Sequence, residues 1–316
     1  MRRRDPLLLF EQATAGDRTS LARLLSVVEQ GGPDAVTASE QVWAAGGRAY
    51  TVGITGAPGA GKSTLTDRLI GEVRGSGDEV AVLAIDPSSP YTGGAILGDR
   101  VRMSDHFLDS GVFIRSMATR GHLGGLALAA PAMVRVLDAA GFPWVLLETV
   151  GVGQVEVEIA GAADTTVVVV NPGWGDAVQA NKAGLLEIAD IFVINKADRK
   201  GVADTQRDLE GMLDLSSARA DGWRPPILRT IAATGDGVAA LWTAIGDHRL
   251  LGERTGRLAE RRTYRLRAEL RDLVVRGLQQ RADALCRGAF FDALEGDLLA
   301  RRVDPETAAA RIVDRL

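Results

Sequence analysis

The strongest constraint on this sequence is a phosphate-loop pattern, GxxxxGK[ST], at residues 56–63. The pattern follows a β-rich run that ends at Thr55 and precedes a helix-like stretch over 64–74, which is the strand-loop-helix context that it requires. The glycines of such a loop let backbone N–H groups surround a phosphate chain, and the helix N-terminus adds the positive end of its dipole. Lys62 is expected to reach the outer phosphates and the Ser63 hydroxyl to bind Mg²⁺. These residues predict a site for a nucleoside triphosphate.

The pattern of apolar runs predicts an α/β fold around this loop. From Ala49 onward, short β-rich runs alternate with loops and helix-like stretches, as in a parallel sheet that is covered on both faces. We expect strands at residues 50–55, 80–85, 112–115, 144–147, 165–170, 191–194 and 226–230. The predicted fold class is a P-loop NTPase with a mostly parallel β-sheet, helices on both faces, and helical extensions at both termini.

Helical patterns flank the predicted sheet on both sides. Asp5-Pro6 is a helix start signal, and apolar residues recur at helical spacing between Leu21 and Val28. A strongly helical pattern covers 253–287, and the start signal at 304–306 opens a final helix that we expect to reach Leu316. We therefore predict three regions: an N-terminal helical extension at 1–48, a nucleotide-binding domain at 49–250 and a C-terminal helical dimerisation arm at 251–316.

Composition limits the classes of partner and of compartment. The 316 residues include 37 Lys and Arg against 41 Asp and Glu, a net charge of −4, so the chain offers no general basic field to nucleic acid or to an anionic membrane. Its single cysteine, Cys286, cannot form an internal disulfide. No run approaches the ~20 apolar residues of a membrane span, and the apolar run at residues 7–10 is too short for a secretion signal. We expect a cytoplasmic protein that binds neither nucleic acid nor membrane.

A second motif indicates which base is bound. Asn195-Lys196-Ala197-Asp198 follows directly after the apolar run 191–194. The Asp198 carboxylate can accept hydrogen bonds from both the ring N–H and the exocyclic amine of guanine, whereas adenine presents no such pair of donors. Residues 232–234, just past the strand predicted at 226–230, are candidates for the backbone amide that contacts the guanine oxygen. In this order, the motifs predict GTP and GDP as the bound nucleotides.

Acidic residues at strand ends are candidates for holding Mg²⁺. Glu148 begins the sequence ETVG after the strand predicted at 144–147, and this resembles the DxxG element of GTPases with Glu in place of Asp. In that element the Gly151 amide can sense the γ-phosphate. Asp86 ends the second predicted strand, where α/β folds bind ligands, and Asp99 lies in a loop-to-helix segment, although either could instead cap a helix. Because no glutamine follows Gly151 directly, we expect slow intrinsic hydrolysis.

Five segments together resemble one known family. They are GAPGAGKSTL, AIDPSSPYTGGAILGDRVRM, ETVGVGQVEVEIA, NPGWGDAVQANKAG and INKAD. Over nearly its whole length the chain is similar to the MeaB-type GTPases, the methylmalonyl-CoA mutase-associated family that is also called ArgK-like. The resemblance implies a GTPase of the same broad class as signal-recognition and metallochaperone GTPases, usually a homodimer to which the C-terminal arms contribute. It also implies a chaperone of an adenosylcobalamin-dependent methylmalonyl-CoA mutase that assists cofactor loading, protection and reactivation.

The resemblance also implies roles for individual residues. It makes Asp86, Asp99 and Glu148 members of the Mg²⁺ and hydrolysis site, and it makes the loop 174–182 a switch that couples mutase binding to hydrolysis. The predicted catalytic residues are Lys62, Asp99, Glu148, Asp176, Gln179 and Lys182. The predicted nucleotide-binding residues are Gly56, Ala57, Pro58, Gly59, Ala60, Gly61, Lys62, Ser63, Thr64, Gly151, Asn195, Lys196, Asp198, Ala232 and Ala233. The predicted Mg²⁺ ligands are Ser63, Asp86, Asp99 and Glu148.

Three other functions stay open at this point. A kinase linked to lysine, arginine and ornithine transport, suggested by the ArgK name, would need ATP and a phosphate acceptor, and Asp198 argues against ATP. A metal-insertion GTPase usually carries a Cys or His cluster, whereas Cys286 and the histidines His106, His122 and His248 are scattered along the chain. A nucleotide-binding subunit that never hydrolyses GTP would be distinguished by the lack of a partner-stimulated rate.

Overall fold

A parallel β-sheet lies at the centre of the computed structural model, which describes residues 5–86, 106, 108–118, 125–149, 161–173, 187–215 and 222–315. The strands are β1 (Tyr50–Gly56), β2 (Val80–Asp86), β3 (Val112–Ala118), β4 (Trp144–Thr149), β5 (Thr165–Val170), β6 (Ile191–Asn195) and β7 (Ile227–Thr230). Their order across the sheet is β3-β2-β4-β1-β5-β6-β7, and each neighbouring pair is parallel. The predicted parallel sheet is confirmed, and each predicted strand lies where it was expected.

The helices, in chain order, are α1 (Pro6–Thr14), α2 (Arg18–Gln30), α3 (Pro33–Ala45), α4 (Lys62–Gly75), α5 (Gly125–Ala139), α6 (Val202–Leu215), α7 (Val238–Thr255), α8 (Arg257–Leu285), α9 (Ala289–Leu299) and α10 (Pro305–Val313). Two compact units divide the chain, Met1–Arg262 and Thr263–Leu316, and α8 begins in the first and continues in the second. Across the described ranges, no helix combines the length and the apolarity that crossing a membrane requires.

One face of the sheet packs against α4 and α7. Alternate residues of the central strands point to this face, because side chains along a strand alternate between the two sides. The buried cluster includes Val52, Ile54, Leu146, Val167, Val193, Leu65, Leu69, Leu241 and Ile245. Complete burial of each such side chain contributes roughly 1.5–3 kcal/mol. This packing places the first turn of α4 at the carboxyl end of β1, where the phosphate loop begins.

Two separate clusters cover the opposite face. Helices α1, α2, α3 and α5 pack on the half of the sheet formed by β2, β3 and β4, in a cluster that includes Leu24, Leu83, Leu137, Val145 and Leu147. Helix α6 packs on β5 and β6, in a cluster that includes Val168, Val170, Phe192, Ile194 and Leu209. Both faces are therefore covered by helices, as predicted.

The N-terminal helices form as their sequence signals predict. The Asp5 carboxylate accepts the Leu7 N–H at 3.0 Å at the start of α1, and Asp17 accepts the Thr19 N–H at 2.9 Å at the start of α2. The predicted apolar positions of α2 are buried. They belong to the same core cluster as β2 and β4, so these helices are integral to the core of the first unit.

A buried network of charged groups lies at the amino-terminal edge of the sheet. Asp164 directly precedes β5 and is 2% exposed, and its Oδ2 accepts the Thr51 N–H at 3.0 Å. Arg262 of α8 donates to both carboxylate oxygens of Asp164, at 2.6 and 3.1 Å, and to the Ala49 carbonyl oxygen at 2.8 Å. Burial lowers the pKa of the Arg262 guanidinium, but the hydrogen bond and charge of Asp164 outweigh this effect, so that pKa lies above its ordinary value.

Asp190 extends this network beside β6. Its Oδ2 accepts the Thr166 N–H and an Arg261 N–H, each at 2.8 Å. Arg261 also donates to the Asp164 carbonyl oxygen at 3.1 Å. The network therefore holds the first turns of α8 against the starts of β5 and β6.

The second unit contains most of α8 together with α9 and α10. The Asp304 carboxylate accepts the Thr307 N–H at 2.9 Å and the Thr307 hydroxyl at 2.7 Å at the start of α10. These hydrogen bonds lower the pKa of Asp304 to about 2. No residue of α8 is buried. Its apolar residues Leu266, Leu270, Leu273, Val274 and Leu278, which we call the α8 stripe, are 42–64% exposed.

The C-terminal helices differ from expectation in two respects. The helix predicted over 253–287 is interrupted at Gly256, which adopts a left-handed conformation with φ of +77° and ends α7. A glycine in this conformation is a common helix terminator because it has no Cβ. Helix α9 was not predicted, and α10 ends at Val313, short of the expected Leu316.

Candidate nucleotide-binding site

The phosphate loop connects β1 to α4. At two of its positions, neighbouring strands approach the loop so closely that only glycine fits. Gly56 has φ of +133°, and a Cβ there would overlap the Val169 carbonyl oxygen of β5. Gly61 has φ of +91°, and a Cβ there would collide with the Asn195 side-chain amide of β6. L-residues with side chains rarely adopt such angles. The motif glycines therefore let the loop lie against β5 and the end of β6.

Lys62 is the first residue of α4 and lies inside the phosphate loop. Its side chain is nearly buried, with 7% of the residue exposed, and its Nζ donates to the carbonyl oxygens of Gly56 and Ala57 at 2.6 and 3.0 Å. The ammonium group is thus held at the centre of the loop, next to the N-terminus of α4. A cation and a helix N-terminus at one point favour the binding of phosphate.

Ser63 and Glu148 meet at the end of β4. The Ser63 hydroxyl donates to Glu148 Oε1 at 2.5 Å, and Glu148 is 2% exposed. Glu148 pairs in register with Ile54 of β1, so it lies beside the strand that leads into the phosphate loop. A hydroxyl and a carboxylate are the oxygen ligands that Mg²⁺ prefers, and this donor set fits the ion that the predicted function requires.

Asn195 of the second motif connects three segments of the site. Its Nδ2 donates to the Ala60 carbonyl oxygen of the phosphate loop at 2.8 Å. Its Oδ1 accepts the Thr230 hydroxyl at 3.1 Å and the Ala232 N–H at 3.0 Å. The residue is 2% exposed, and a buried amide with three hydrogen bonds fixes the geometry of its neighbours.

The next residues of this motif continue the same connection. Lys196 adopts a left-handed conformation with φ of +59°, which is uncommon for a residue with a side chain. Its Nζ donates to the Gly59 carbonyl oxygen at 2.6 Å. The Ala197 N–H donates to the Thr230 carbonyl oxygen at 3.0 Å, and Asp198 is exposed in the turn that follows. Its carboxylate is therefore accessible to a base.

The loop after β7 completes this side of the site. Ala232 is buried and its N–H is engaged by Asn195, whereas Ala233 is exposed. Arg68 of α4 donates from Nε to the Ala232 carbonyl oxygen at 3.1 Å and from Nη2 to the Ala233 carbonyl oxygen at 3.0 Å. Sequence analysis missed Arg68, and no motif could have revealed it, because these contacts join residues 164 and 165 positions apart.

The structure brings most of the predicted residues to one edge of the sheet. The phosphate loop, Ser63 and Glu148 lie together there, and Asn195 and Lys196 contact the loop directly. Asp86 ends β2 at the same edge, although its side chain is outside the described part of the chain. The predicted residues Asp99, Gly151, Asp176, Gln179 and Lys182 all lie outside the described residues.

A family comparison identifies the class of protein. The family profile described as "Methylmalonyl Co-A mutase-associated GTPase MeaB" matches residues 21–286. A solved structure of 26% sequence identity, titled "Crystal structure of LAO/AO transport system kinase", superposes with a TM-score of 0.74 over 99% of this chain and 98% of that chain. The match to the family profile extends over both the phosphate loop and the NKAD motif.

Curated relatives agree with this match. A Pyrococcus abyssi protein named as a candidate GTPase is 49% identical over 98% of this chain and 96% of its own length. The Escherichia coli protein "GTPase ArgK" is 39% identical over 78% of this chain and 76% of its own length. The mouse protein "Methylmalonic aciduria type A homolog, mitochondrial" is 35% identical over 67% of this chain and 52% of its own length. With this site, this fold and these relatives, the chain belongs to the MeaB family of methylmalonyl-CoA mutase-associated GTPases.

Proposed function

We propose that this GTPase is a chaperone of an adenosylcobalamin-dependent methylmalonyl-CoA mutase, and that its GTP turnover assists cofactor loading, protection and reactivation of that enzyme. The observation that carries the proposal is the family match over residues 21–286, because the family is defined by its association with this mutase. The name of the mouse relative refers to methylmalonic aciduria, a condition of methylmalonyl metabolism. In this proposal the adenosylcobalamin is the cofactor of the mutase, and GTP hydrolysis by this protein determines when the cofactor is loaded.

The site supports a division into a phosphate end and a base end. Lys62 and the N-terminus of α4 would bind the phosphates, and Ser63 with Glu148 would hold Mg²⁺, which would supply charge neutralisation to the phosphate groups. Asp198 reads the guanine edge, and Asn195 keeps the phosphate loop and the loop after β7 in one arrangement. GTP and GDP are therefore the nucleotides that we assign to the site.

We further propose that the mutase stimulates hydrolysis through the loop 174–182. In this scheme, contact with the mutase places Asp176, Gln179 or Lys182 near the γ-phosphate, where they complete a hydrolysis site that the GTPase alone lacks. The cytoplasm is the compartment that we assign to this pair of proteins.

We also propose that the protein is a homodimer. The α8 stripe supports this proposal, since its apolar residues follow helical spacing and are 42–64% exposed in the single chain. A stripe of this kind needs an apolar partner to leave water. A second copy of the same stripe would provide one, with the two-fold symmetry that most homodimers have.

A second candidate function rests on the solved structure titled as a transport system kinase, which has the same fold at 26% identity. A kinase would transfer the γ-phosphate to an acceptor. The accessible carboxylate of Asp198 favours guanine over adenine, which weighs against an ATP-dependent kinase. A metal-insertion role has no comparable support, because the described ranges contain no group of three or more His, Cys, Asp or Glu residues that could hold a metal.

The test is the rate of GTP hydrolysis by the purified protein, measured alone and with methylmalonyl-CoA mutase from the same organism. We expect a stimulated rate, and we expect Lys182→Ala to reduce the stimulation while Lys200→Ala, which replaces an exposed lysine outside the motifs, retains it. Transfer of adenosylcobalamin to the apo-mutase, compared in GTP and in GDP, tests the loading step. An unchanged hydrolysis rate in a mixture where the two proteins form a complex would contradict the proposal.

A further inference from the structure

The loop after β7 is held from two sides. The Ala232 N–H donates to Asn195 on one side, and the carbonyl oxygens of Ala232 and Ala233 accept from Arg68 on the other. The Thr234 N–H donates to the Ile231 carbonyl oxygen at 3.0 Å within the loop itself. Three consecutive peptide groups, from residue 231 to residue 234, therefore each have a hydrogen bond that fixes their orientation.

The Arg68 contacts determine where one particular N–H points. A peptide unit is planar and trans, so the carbonyl oxygen of Ala232 and the N–H of Ala233 lie in one plane and point in opposite directions. Because Nε of Arg68 holds that carbonyl at 3.1 Å, the Ala233 N–H is directed away from Arg68. Within the described part of the chain this N–H donates to no other group, and Ala233 is exposed.

We propose that Arg68 is a positioning residue for guanine recognition, which orients the Ala233 N–H to donate to the O6 atom of the base. The proposal rests on the assignment of the loop after β7 to the guanine site. Adenine carries an amine at this position, so an oriented N–H rejects it by leaving two donors facing each other. Arg68 thereby adds to the preference for guanine that Asp198 provides.

The position of Arg68 suits this role. It lies on α4, six residues after Lys62, and its guanidinium can donate in parallel to two neighbouring carbonyl oxygens because it is a planar fork. A lysine has a single ammonium group and cannot reproduce both contacts in that geometry. Because Arg68 is exposed, its replacement should leave the core of the first unit intact.

The experiment compares GDP with 6-thio-GDP, in which sulfur replaces O6 and accepts hydrogen bonds only weakly. For Arg68→Ala we expect GDP affinity to fall about tenfold, as one lost hydrogen bond of ordinary strength would cause. We expect the affinity for 6-thio-GDP to fall by about threefold or less, since the weak acceptor has less to lose. Arg68→Lys should recover part of the GDP affinity. Arg229→Ala is the matched control, because Arg229 is an exposed arginine of β7 that contacts Gln206 instead.

The ratio of the two affinities within one variant is independent of the fraction of folded protein, so a modest loss of stability does not blur the result. Equal losses for GDP and 6-thio-GDP, or no loss for GDP, would overturn the role of Arg68. Asp198→Asn distinguishes this outcome from failure of the site assignment. If Asp198→Asn reduces the preference for GDP over ADP and Arg68→Ala does not, the assignment of the guanine site stands but the role of Arg68 is wrong. If neither variant changes that preference, the guanine site itself is misassigned.

Discussion

Arg262 holds the buried carboxylate of Asp164 through two hydrogen bonds, from Nη2 to Oδ2 at 2.6 Å and from Nε to Oδ1 at 3.1 Å. The pair lies at the edge of the sheet opposite the phosphate loop, where β5 begins. Paired, two-point contacts of this kind are the strong form of a charged hydrogen bond. The first turns of α8 are therefore attached to the core by charge, in a helix with no buried residue.

Replacement of Arg262 is expected to destabilise the first unit. Arg262→Ala removes the cation that faces a carboxylate of 2% exposure, and breaking a buried pair in this way costs about 3–5 kcal/mol. Urea denaturation followed by circular dichroism measures the loss. Arg207→Ala is the control, since Arg207 pairs with Asp204 on the surface, and exposed pairs of this kind contribute about 0–1 kcal/mol. Similar small losses for both variants would contradict the structural role of the Arg262 pair.

Removal of the charge on Glu148 is expected to impair hydrolysis more than binding. Glu148→Gln keeps the size of the side chain next to the Ser63 hydroxyl but takes away the carboxylate that we assign to Mg²⁺. We expect single-turnover GTP hydrolysis to fall by about 100-fold or more, while GDP affinity in the presence of EDTA stays close to wild type. Glu210→Gln, an exposed carboxylate of α6, serves as the control. Wild-type hydrolysis by the Glu148 variant would remove this residue from the site.

Exchange of Asp198 is expected to change the preferred base. Asp198→Asn presents an amide in place of a carboxylate, and xanthine carries a carbonyl where guanine carries its amine, so the donor and acceptor pattern of the variant matches xanthine. We expect GTP affinity to fall by about 100-fold or more and xanthosine triphosphate affinity to rise. Competition against a fluorescent GDP analogue measures both. An unchanged order of preference would show that Asp198 does not contact the base.

A charge in the α8 stripe is expected to prevent dimerisation. Leu273→Glu places a carboxylate in the middle of the stripe, at a residue that is 49% exposed in the single chain, and burying it unpaired would cost several kcal/mol. Analytical ultracentrifugation should show a dimer for the wild type and a monomer for the variant. Leu299→Glu, at an 82% exposed residue outside the stripe, should remain dimeric. A wild-type protein that is monomeric at all concentrations contradicts the proposal.

The Asp304 cap predicts a pH dependence of the second unit at low pH. Hydrogen bonds from Thr307 lower the pKa of Asp304 from 3.8 to about 2, so the ionised cap stabilises α10 fully above 3.8 and loses this effect as the pH falls through 2. Carbon-13 NMR of the side-chain carboxyl group measures the titration directly. Thr307→Ala should raise the pKa of Asp304 toward 3.8, and a wild-type carboxyl that already titrates there would rule out the cap.

Local patterns predicted the architecture well because the forces behind them are local. A buried strand needs an apolar run, a helix start needs a side-chain acceptor, and a phosphate loop needs glycines at particular positions. The seven strands of the described part of the chain and the start signals at Asp5 and Asp304 could be predicted for this reason. The break at Gly256 was not predicted, because a lone glycine in a helical pattern does not by itself indicate a left-handed conformation.

The contacts that tie distant segments together could not be predicted in the same way. Arg262 reaches Asp164 across 98 positions, and Asn195 reaches Ala60 across 135. Nothing in either local sequence selects the partner, because the pairing depends on which strands lie side by side and on the direction of each side chain. The NKAD motif predicted that Asn195 binds nucleotide, but not that it connects three segments of the site.

The strand order has a further consequence for how this enzyme can change over time. Because β1 lies between β4 and β5, the carboxylate that we assign to the ion lies on β4, on one side of the phosphate loop, and the residues that we assign to the base follow β6 and β7, on the other side. We therefore expect mutations in the segments after β6 and β7 to change nucleotide choice, and mutations at the end of β4 to change turnover. Selection can act on the two properties separately. A lineage can therefore change its preferred nucleotide or its rate of hydrolysis without changing both.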